Sequence, residues 1–434
     1  MYKTYHIQRS KLCGSLTIPA SKSHSQRAIL FASLADGRSI IRNSLPSPDI
    51  KAMIHACRSM GAVITVNADQ IEILGTNGTP QALQDVVDAG NSGQVLRFIA
   101  AVASLTAGYT VITGDRSIRK HRPMQPLLDG LNQLGVWAVS MHNTGTAPIL
   151  IQGPWKHNTA TIDGAVSQPI SGLLIAAAFA PRPTNLYVTN HGETTWIDVT
   201  LNWFDRLGII YTRKDYAEYQ ITGNARYAGF KYTVPGDLSS CAFPIIGALI
   251  TNSELTLHGV DLQDVQGDKE LIFILQRMGA KIEIDHAQQT IQVQPSPALT
   301  GITLNINAFN DAVPVLAVLA CFATSPSIIS GAAATRTKES DRLATIAGEL
   351  NKMGANITEH ADGLTIHPTT LTGTTVQAHQ DHRIAMALSI AALAANGETR
   401  ITGTECIDKS YPNFANDLIS VGAKIDVLPS LVKD

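Results

Sequence analysis

The stretch S-M-G-A-V-I-T, residues 59–65, recurs five more times in altered form along this chain of 434 residues. Its central glycine follows a helix-like segment each time and precedes an alternating apolar run. This order is typical of a glycine that ends a helix and leads into a strand. The glycines lie about 70 residues apart, a spacing that indicates a structural repeat. The copies are SMGAVIT (59–65), QLGVWAV (133–139), RLGIIYT (206–212), RMGAKIE (277–283), KMGANIT (352–358) and SVGAKID (420–426).

A second pattern recurs in phase with the first and predicts a strand in each unit. It has a turn residue, a β-rich run and a closing Gly, Asn or Ser-Gly. It follows helices that are apolar nearly all round and therefore buried, such as residues 170–180 and 384–395. We therefore predict six units, each with one buried helix, one amphipathic helix and several strands; a stacked solenoid is the alternative. The strand copies are ADGRSIIRN (35–43), TAGYTVITG (106–114), RPTNLYVTN (182–190), TNSELTLHG (251–259), TSPSIISG (324–331) and ANGETRITG (395–403).

Length and composition narrow the class of protein. A chain of 434 residues is too long for one ordinary core, so we expect at least two domains. A net charge of −2 argues against broad binding of nucleic acid or membrane surfaces. The first residues lack a signal-peptide pattern, and the longest apolar runs are too short to span a bilayer. The 5 scattered cysteines form no disulfide framework and no paired metal spacing. We expect a cytoplasmic protein.

Cations collect where helices are predicted to begin. The stretch A-S-K-S-H-S-Q-R, residues 20–27, is one example, and T-R-T-K-E-S-D-R, residues 335–342, is the densest. Cations favour helix C-termini, so this placement opposes stability and favours binding of phosphates and carboxylates. The alternatives are a solvated salt-bridged helix start at 335–342, a simple cap at D-H-R (381–383) and a basic surface loop at 114–123. The cations in question are Lys22, Arg27, Arg122, Lys338, Arg342, Arg383 and Lys409.

With these residues in view, the sequence resembles the 5-enolpyruvylshikimate-3-phosphate synthase family. The motifs that carry the resemblance are PASKSHSQRA, GNSGQVLR, KHRPM, DGAVSQ, PGDLSSCAF, VQGDKE, NDAVP, TKESDR, DHRIAMA and DKSYPNF. The resemblance implies a two-domain inside-out α/β barrel of six βαβαββ-like repeats, three per domain, with the active site in the interdomain cleft. It implies domains of residues 21–235 and of residues 1–20 plus 236–434.

The implied reaction transfers the enolpyruvyl group of phosphoenolpyruvate to the 5-hydroxyl of shikimate 3-phosphate and releases phosphate. It belongs to the shikimate pathway, which leads to chorismate and the aromatic amino acids. The family works without a metal or organic cofactor, and we expect none here. We also expect a monomer that binds these small molecules and neither nucleic acid nor membrane.

The family motifs assign substrate contacts to named residues. For shikimate 3-phosphate they imply Lys22, Ser23, Arg27, Ser167, Gln168, Asp311 and Lys338, with Ser23 and Arg27 on its carboxylate. For phosphoenolpyruvate they imply Lys22, Gly93, Arg122, Gln168, Arg342, Arg383 and Lys409.

The chemistry requires one proton delivered to a methylene carbon and another removed from the attacking hydroxyl. Two carboxylates in separate environments suit this task. Asp311 and Glu339 match the family's pair, with Lys22 as a third catalytic group and Lys409 as a possible helper. Which group carries which proton stays open at this point. A glutamate between Lys338 and Arg342 is expected to be ionised in the absence of substrate.

Several positions depart from the family pattern. Ser167-Gln168-Pro169 is one serine short, and Thr194–Asp198 replaces a Pro-Tyr-containing segment. Gln94 stands where many members have threonine, and Ala334 stands where some have asparagine. Because of these changes, the resemblance does not determine which residues bind the shikimate phosphate or whether glyphosate, the family's inhibitor, acts on this protein.

Three other functions remain as alternatives. A UDP-N-acetylglucosamine enolpyruvyl transferase shares fold and donor, but the loop GDRSIRKHRP (114–123) lacks the cysteine of that family. Cys57 and Cys321 lie in predicted helices, where packing explains them. An RNA 3′-terminal phosphate cyclase-like protein predicts a basic, aromatic-rich groove, against 6% aromatic residues. A non-enzymatic repeat scaffold leaves the carboxylates among the clustered cations unexplained.

Overall fold

A computed structural model of the chain describes residues 2–297 and 299–430. The chain forms two compact units. One contains the N-terminal residues up to Pro19 and the residues from Pro235 onward; the other is Ala20–Val234. Each has its own hydrophobic core. The limits implied by the family resemblance lie one residue away at each crossing.

The strands of the described residues are short, and most alternate buried and exposed side chains. They are β1 (Tyr2–Gln8), β2 (Cys13–Thr17), β3 (Arg38–Arg42), β4 (Val63–Val66), β5 (Gln70–Leu74), β6 (Val87–Asp88), β7 (Gly108–Thr113), β8 (Trp137–Ser140), β9 (Ile149–Gly153), β10 (Thr159–Asp163), β11 (Thr184–Thr189), β12 (Tyr211–Lys214), β13 (Glu218–Ile221), β14 (Lys231–Thr233), β15 (Glu254–His258), β16 (Ile282–Asp285), β17 (Thr290–Val293), β18 (Thr303–Asn305), β19 (Ser327–Ser330), β20 (Asn356–His360), β21 (Gly363–His367), β22 (Thr375–Gln377), β23 (Glu398–Thr402) and β24 (Lys424–Ser430).

The strands build one sheet pattern six times within the described residues. In the first copy β14 is parallel to β3, β3 is antiparallel to β5, and β5 is antiparallel to β4. Three sheets belong to residues 20–234: β14-β3-β5-β4, β6-β7-β9-β8 and β10-β11-β13-β12. Three belong to the other unit: β2-β15-β17-β16, β18-β19-β21-β20 and β22-β23-β1-β24. The prediction of six units, three in each half of the fold, is confirmed.

Helices of two kinds alternate along the chain, together with one π-helical and four 3₁₀ turns in the described part. The helices are α1 (Lys22–Leu34), α2 (Pro48–Ser59), α3 (Ala100–Ala103), α4 (Arg116–Lys120), α5 (Gln125–Gln133), α6 (Ser167–Phe179), α7 (Thr194–Leu207), α8 (Leu238–Ile250), α9 (Glu270–Arg277), α10 (Val313–Cys321), α11 (Arg342–Lys352), α12 (His382–Ala394) and α13 (Phe414–Ser420). The π turn is Val95–Ile99, and the 3₁₀ turns are Gly267–Lys269, Asn307–Ala312, Ala333–Thr337 and Thr404–Lys409. No helix among the described residues is long and apolar enough to cross a membrane.

The apolar helices lie inside each unit, and the sheets cover them. In one unit α8, α10 and α12 pack against one another and contact β15, β21 and β23, respectively. In the other, α1 contacts β3 and β5, α3 contacts β7 and β9, and α6 contacts β11 and β13. Because all sides of these helices are buried, their apolar sequences need no polar face. The polar motifs lie at the N-terminal ends of these helices, and these ends are therefore the parts of the helices that can bind a ligand.

The repeat glycines all have left-handed backbone angles directly after a helix. Their φ angles lie between 66° and 104°, a region that favours residues without a Cβ. The predicted helix-ending role is therefore confirmed for Gly61, Gly135, Gly208, Gly279, Gly354 and Gly422.

Three of the cations predicted to lie where helices begin lie outside the α-helices. Lys338 precedes α11 because the Oδ1 atom of Asp341 caps that helix by accepting from the Ala344 amide at 3.1 Å. Arg342 is therefore the first residue of α11, and Lys338 lies outside that helix. Arg122 lies between α4 and α5, and Lys409 ends a 3₁₀ turn. Helix α8 is capped by Asp237, and α10 begins at Val313, after Asn310 and Asp311.

Candidate active site

Arg342 is the centre of a buried charged cluster in the unit that contains residues 235–430. Its Nη1 donates to Asp311 Oδ1 at 2.7 Å, and its Nη2 donates to Glu339 Oε2 at 2.8 Å. Its Nε donates to Asp381 Oδ2 at 2.8 Å. Burial alone lowers the pKa of Arg342, but Asp381, Glu339 and Asp311 raise it above its ordinary value. The guanidinium is therefore a permanent cation that fixes three carboxylates.

Glu339 lies between two cations. Its Oε2 accepts from Arg342, and its Oε1 accepts from Lys409 Nζ at 2.5 Å. The His382 ring also approaches, with Nδ1 4.0 Å from the same Oε1. Charged donors on both oxygens favour the ionised carboxylate, as the sequence analysis predicts for the chain without substrate.

Asp311 lies among three cations. Arg383 Nη2 is 3.0 Å from Oδ2, and Lys338 Nζ is 3.9 Å from Oδ1, which also accepts from Arg342. Burial raises the pKa of Asp311, but Arg383, Lys338 and Arg342 together hold it well below its ordinary value. The carboxylate is thus available as a hydrogen-bond acceptor at neutral pH.

Glu339, Asp381 and His382 also form a possible metal-ligand set, since one ligand atom from each lies within 4.8 Å of the others. However, oxygens of both carboxylates already accept hydrogen bonds from Arg342 and Lys409. A divalent cation would have to compete with these fixed cations. The cations around Glu339 and Asp381 therefore make this cluster fit an anionic ligand better than a metal ion.

Asp268 is a buried carboxyl that the sequence analysis did not assign. It is 2% exposed, and neither oxygen has a hydrogen-bond partner from another residue in the part of the chain that the structure describes. Burial, with Asp311 and Asp237 nearby, raises the pKa of Asp268 to about 8, although Arg383 acts in the opposite direction. Because a neutral Asp268 adds no negative charge, the positive charges of the cluster outnumber the negative ones at pH 7. The motif VQGDKE gave no signal of this burial.

Arg27 is a buried cation of the unit Ala20–Val234. It is 1% exposed, and its Nε donates to Thr200 Oγ1 at 3.0 Å while its Nη2 donates to the Trp196 carbonyl at 3.2 Å. No carboxylate pairs with it among residues 2–297 and 299–430. Burial lowers the pKa of Arg27 to about 9. A buried cation held by neutral groups is costly unless an anion binds there.

Ser23 and Lys22 lie beside Arg27 at the start of α1. Ser23 Oγ is 3.4 Å from Arg27 Nη1 and accepts from Gln94 Nε2 at 2.7 Å. Lys22 Nζ is 3.5 Å from Asp49 Oδ2. Gln94, one of the departures from the family pattern, therefore holds the serine that is predicted to contact shikimate 3-phosphate.

Gln168 and Gly93 meet at Arg97. Arg97 Nη1 donates to Gln168 Oε1 at 2.7 Å, and its Nη2 donates to the Pro123 carbonyl at 2.8 Å. A Cβ on Gly93 would lie 2.8 Å from that same Gln168 oxygen, so a larger residue there would displace the end of the Gln168 side chain. Arg97 thus ties the predicted substrate residue Gln168 to the segment that carries the buried Arg122.

Ser167 is engaged by a residue that the sequence analysis missed. Both its amide and its hydroxyl lie 3.0 Å from Glu193 Oε2. The structure thus places the predicted residues in two sets, one in each unit. The first is Lys22, Ser23, Arg27, Gly93, Arg122, Ser167 and Gln168; the second is Asp311, Lys338, Glu339, Arg342, Arg383 and Lys409.

Six α/β repeats, several buried cations and three carboxylates held by Arg342 are typical of an enzyme that acts on small anionic substrates. A sequence model of the family "EPSP synthase (3-phosphoshikimate 1-carboxyvinyltransferase)" matches residues 7–418. The chain belongs to this family.

Named relatives and solved structures agree with this assignment. The 3-phosphoshikimate 1-carboxyvinyltransferase of Acetivibrio thermocellus is 40% identical over 419 residues, 96% of this chain and 98% of the relative. That of Chlamydia caviae is 41% identical over 424 residues, 97% of this chain and 94% of the relative. An EPSP synthase structure from Acinetobacter baumannii has a TM-score of 0.80 and 28% identity, covering 99% of this chain and 100% of its own.

Proposed function

We propose that this chain transfers the enolpyruvyl group of phosphoenolpyruvate to the 5-hydroxyl of shikimate 3-phosphate, with release of phosphate. The observation that carries the proposal is Arg342, which holds Asp311 and Glu339 as ionised carboxylates within a set of cations. Bases beside anion-binding groups are what the addition of a hydroxyl to an anionic enol requires.

Arg342, Arg383 and Lys409 bind the carboxylate and phosphate of phosphoenolpyruvate. The arginines have planar forks that match these groups, and the lysine is a mobile point charge. Arg122, Gln168 and the backbone at Gly93 are the further contacts that we propose for this substrate.

Lys22, Ser23 and Arg27 bind shikimate 3-phosphate, with Arg27 on its carboxylate. An anionic group there neutralises a cation that has only neutral partners in the described protein. Ser167, Gln168 and Lys338 complete the contacts to this substrate, and Asp311 accepts from its hydroxyls.

The reaction has an addition step with two proton transfers and an elimination step in which C3 gives up a proton, and the proton taken from the hydroxyl leaves with the phosphate or to solvent. Asp311 removes the proton of the 5-hydroxyl as its oxygen bonds to C2 of phosphoenolpyruvate, and a proton is delivered to C3. In the elimination step C3 loses a proton, the double bond re-forms, and the C2–O bond to phosphate breaks. Glu339, bonded to Lys409, exchanges the proton at C3, and Lys22 assists at the transferred oxygen.

Substrate binding weakens the interactions that stabilise the Glu339 carboxylate. When phosphoenolpyruvate takes up hydrogen bonds from Arg342 and Lys409, Glu339 loses part of its stabilisation as an anion. It is then better able to hold the proton that C3 requires. The same cations thus bind the donor and prepare the acid.

The test is phosphate release from phosphoenolpyruvate in metal-free buffer, with shikimate 3-phosphate or UDP-N-acetylglucosamine as acceptor. The proposal expects release with the shikimate ester alone. Release only with UDP-N-acetylglucosamine would show that the chain catalyses the alternative reaction, enolpyruvyl transfer to the sugar nucleotide. A monomeric state and a cytoplasmic location belong to the same proposal, and light scattering in solution tests the first.

A further inference from the structure

Glu193 accepts from both hydrogen-bond donors of Ser167, the first residue of helix α6. One of its oxygens, Oε2, lies 3.0 Å from the Ser167 amide and 3.0 Å from the Ser167 hydroxyl. Both residues are buried, with Glu193 1% exposed and Ser167 2% exposed. The carboxylate is therefore held inside the protein at the N-terminus of a 13-residue helix.

The backbone of Glu193 is in an unusual conformation for this residue type. Its φ of 50° and ψ of 36° are left-handed, although Glu has a Cβ and a long side chain. Such angles carry a local energetic cost and concentrate at functional positions. The surrounding structure thus holds Glu193 where its carboxylate meets Ser167.

The donors that Glu193 occupies are of the kind that bind phosphate. An amide and a hydroxyl at a helix N-terminus suit a phosphate oxygen. The proposed function, on which this inference rests, assigns Ser167 to shikimate 3-phosphate. A carboxylate and a phosphate dianion cannot both accept from these two donors, because they repel each other and compete for the same hydrogens.

We propose that Glu193 is a specificity-determining residue that competes with the substrate phosphate for Ser167. In the chain without substrate, the Glu193 carboxylate is the anion that accepts from the Ser167 amide and hydroxyl. Binding of shikimate 3-phosphate displaces the carboxylate from Ser167, and the displacement weakens the binding of that substrate. The charge of Glu193 thus selects against phosphorylated ligands that lack enough other contacts to displace it.

The test compares Glu193→Gln with wild type by calorimetric titration of shikimate 3-phosphate and by steady-state kinetics. Glutamine keeps an acceptor for Ser167 but removes the charge. We expect the KM and Kd for shikimate 3-phosphate to fall about tenfold, the size typical of exchanging a charged for a neutral competitor. The KM for phosphoenolpyruvate is expected to stay within about twofold.

Asp205→Asn is the matched control, since it removes one negative charge from the exposed far end of helix α7, which Glu193 directly precedes. It is expected to leave both KM values unchanged. An unchanged or weakened affinity of Glu193→Gln for shikimate 3-phosphate would overturn the inference and leave Glu193 as a helix cap alone.

A second measurement does not depend on the stability of the variant. In a crystal structure of the wild-type enzyme with shikimate 3-phosphate, we expect a phosphate oxygen on Ser167 and the Glu193 carboxylate beyond hydrogen-bonding distance. Glu193 still bonded to Ser167 in that complex would contradict the inference. Absence of turnover with shikimate 3-phosphate in the wild type would instead contradict the proposed function, so the two failures are distinguishable.

Discussion

The guanidinium of Arg342 lies between Asp311 and Glu339 and donates a hydrogen bond to each, at 2.7 Å and 2.8 Å. One side chain thus fixes the distance and orientation of the two carboxylates to which we assign proton transfer. It also belongs to the set of cations proposed to bind phosphoenolpyruvate. Donor binding and proton transfer are therefore coupled through a single residue.

Arg342→Lys is expected to keep the positive charge and lose the fork that joins the carboxylates. We predict a fall in kcat/KM of about 100-fold with the fold intact, because lysine cannot reach three carboxylates at once. Arg336→Lys is the control, since Arg336 pairs with Asp341 and Glu359 near the surface. Equal kinetics for the two variants would remove Arg342 from the mechanism.

Glu339→Gln removes the proposed acid–base group while keeping its shape. We predict that kcat falls roughly 100-fold or more, as is typical when such a group is lost. Glu359→Gln, a carboxyl near the surface that contacts Arg336, is the control and is expected to keep its activity. Near-normal turnover of Glu339→Gln would show that another group exchanges the proton at C3.

Arg27→Gln tests whether Arg27 contributes more to the binding of shikimate 3-phosphate than to the stability of the fold. Because no described carboxylate pairs with this buried cation, we predict little loss of thermal stability and a KM for shikimate 3-phosphate raised about tenfold or more. Thermal unfolding and steady-state kinetics measure the two effects. A large loss of stability with an unchanged KM would indicate a purely structural arginine.

The buried carboxyl of Asp268 predicts a specific pH dependence of stability. Its pKa is raised from 3.8 to about 8 in the folded chain, so the folded state holds a proton that the unfolded state releases. The stability that Asp268 contributes is full below about pH 4 and is lost as the pH rises to about 8.

Asp268→Asn has no proton to lose, so its stability relative to wild type is expected to rise between about pH 4 and pH 8, by at most about 1.4 kcal/mol for each pH unit. Chemical unfolding across this range measures the difference. Asp426→Asn on the exposed strand β24 is the control. A difference between Asp268→Asn and wild type that does not change with pH would contradict a protonated Asp268.

The sequence was sufficient to predict the repeat and insufficient to predict the contacts. The glycines such as Gly61 could be recognised because a left-handed helix end restricts the residue type at that position. The position of Lys338 ahead of α11 could not be recognised. Asp341 competes with Ser340 and Glu339 as the capping residue, and the choice among them depends on local packing.

The same holds for the candidate site. Asp311 and Glu339 could be proposed because NDAVP and TKESDR match motifs of the family. Glu193 and Asp268 could not, because what marks them is a partner 26 residues away in one case and burial without a partner in the other. Such features depend on how distant segments pack, which local spacing does not encode.

The most direct test of the central claim is the reaction of phosphoenolpyruvate with shikimate 3-phosphate in D₂O, with the product analysed by mass spectrometry and NMR. Addition followed by elimination, with a proton delivered to C3 and one removed, predicts an enolpyruvyl ether that carries deuterium at its methylene carbon. An ether without deuterium would contradict the role of Glu339 at C3. Phosphate without any ether would contradict enolpyruvyl transfer itself.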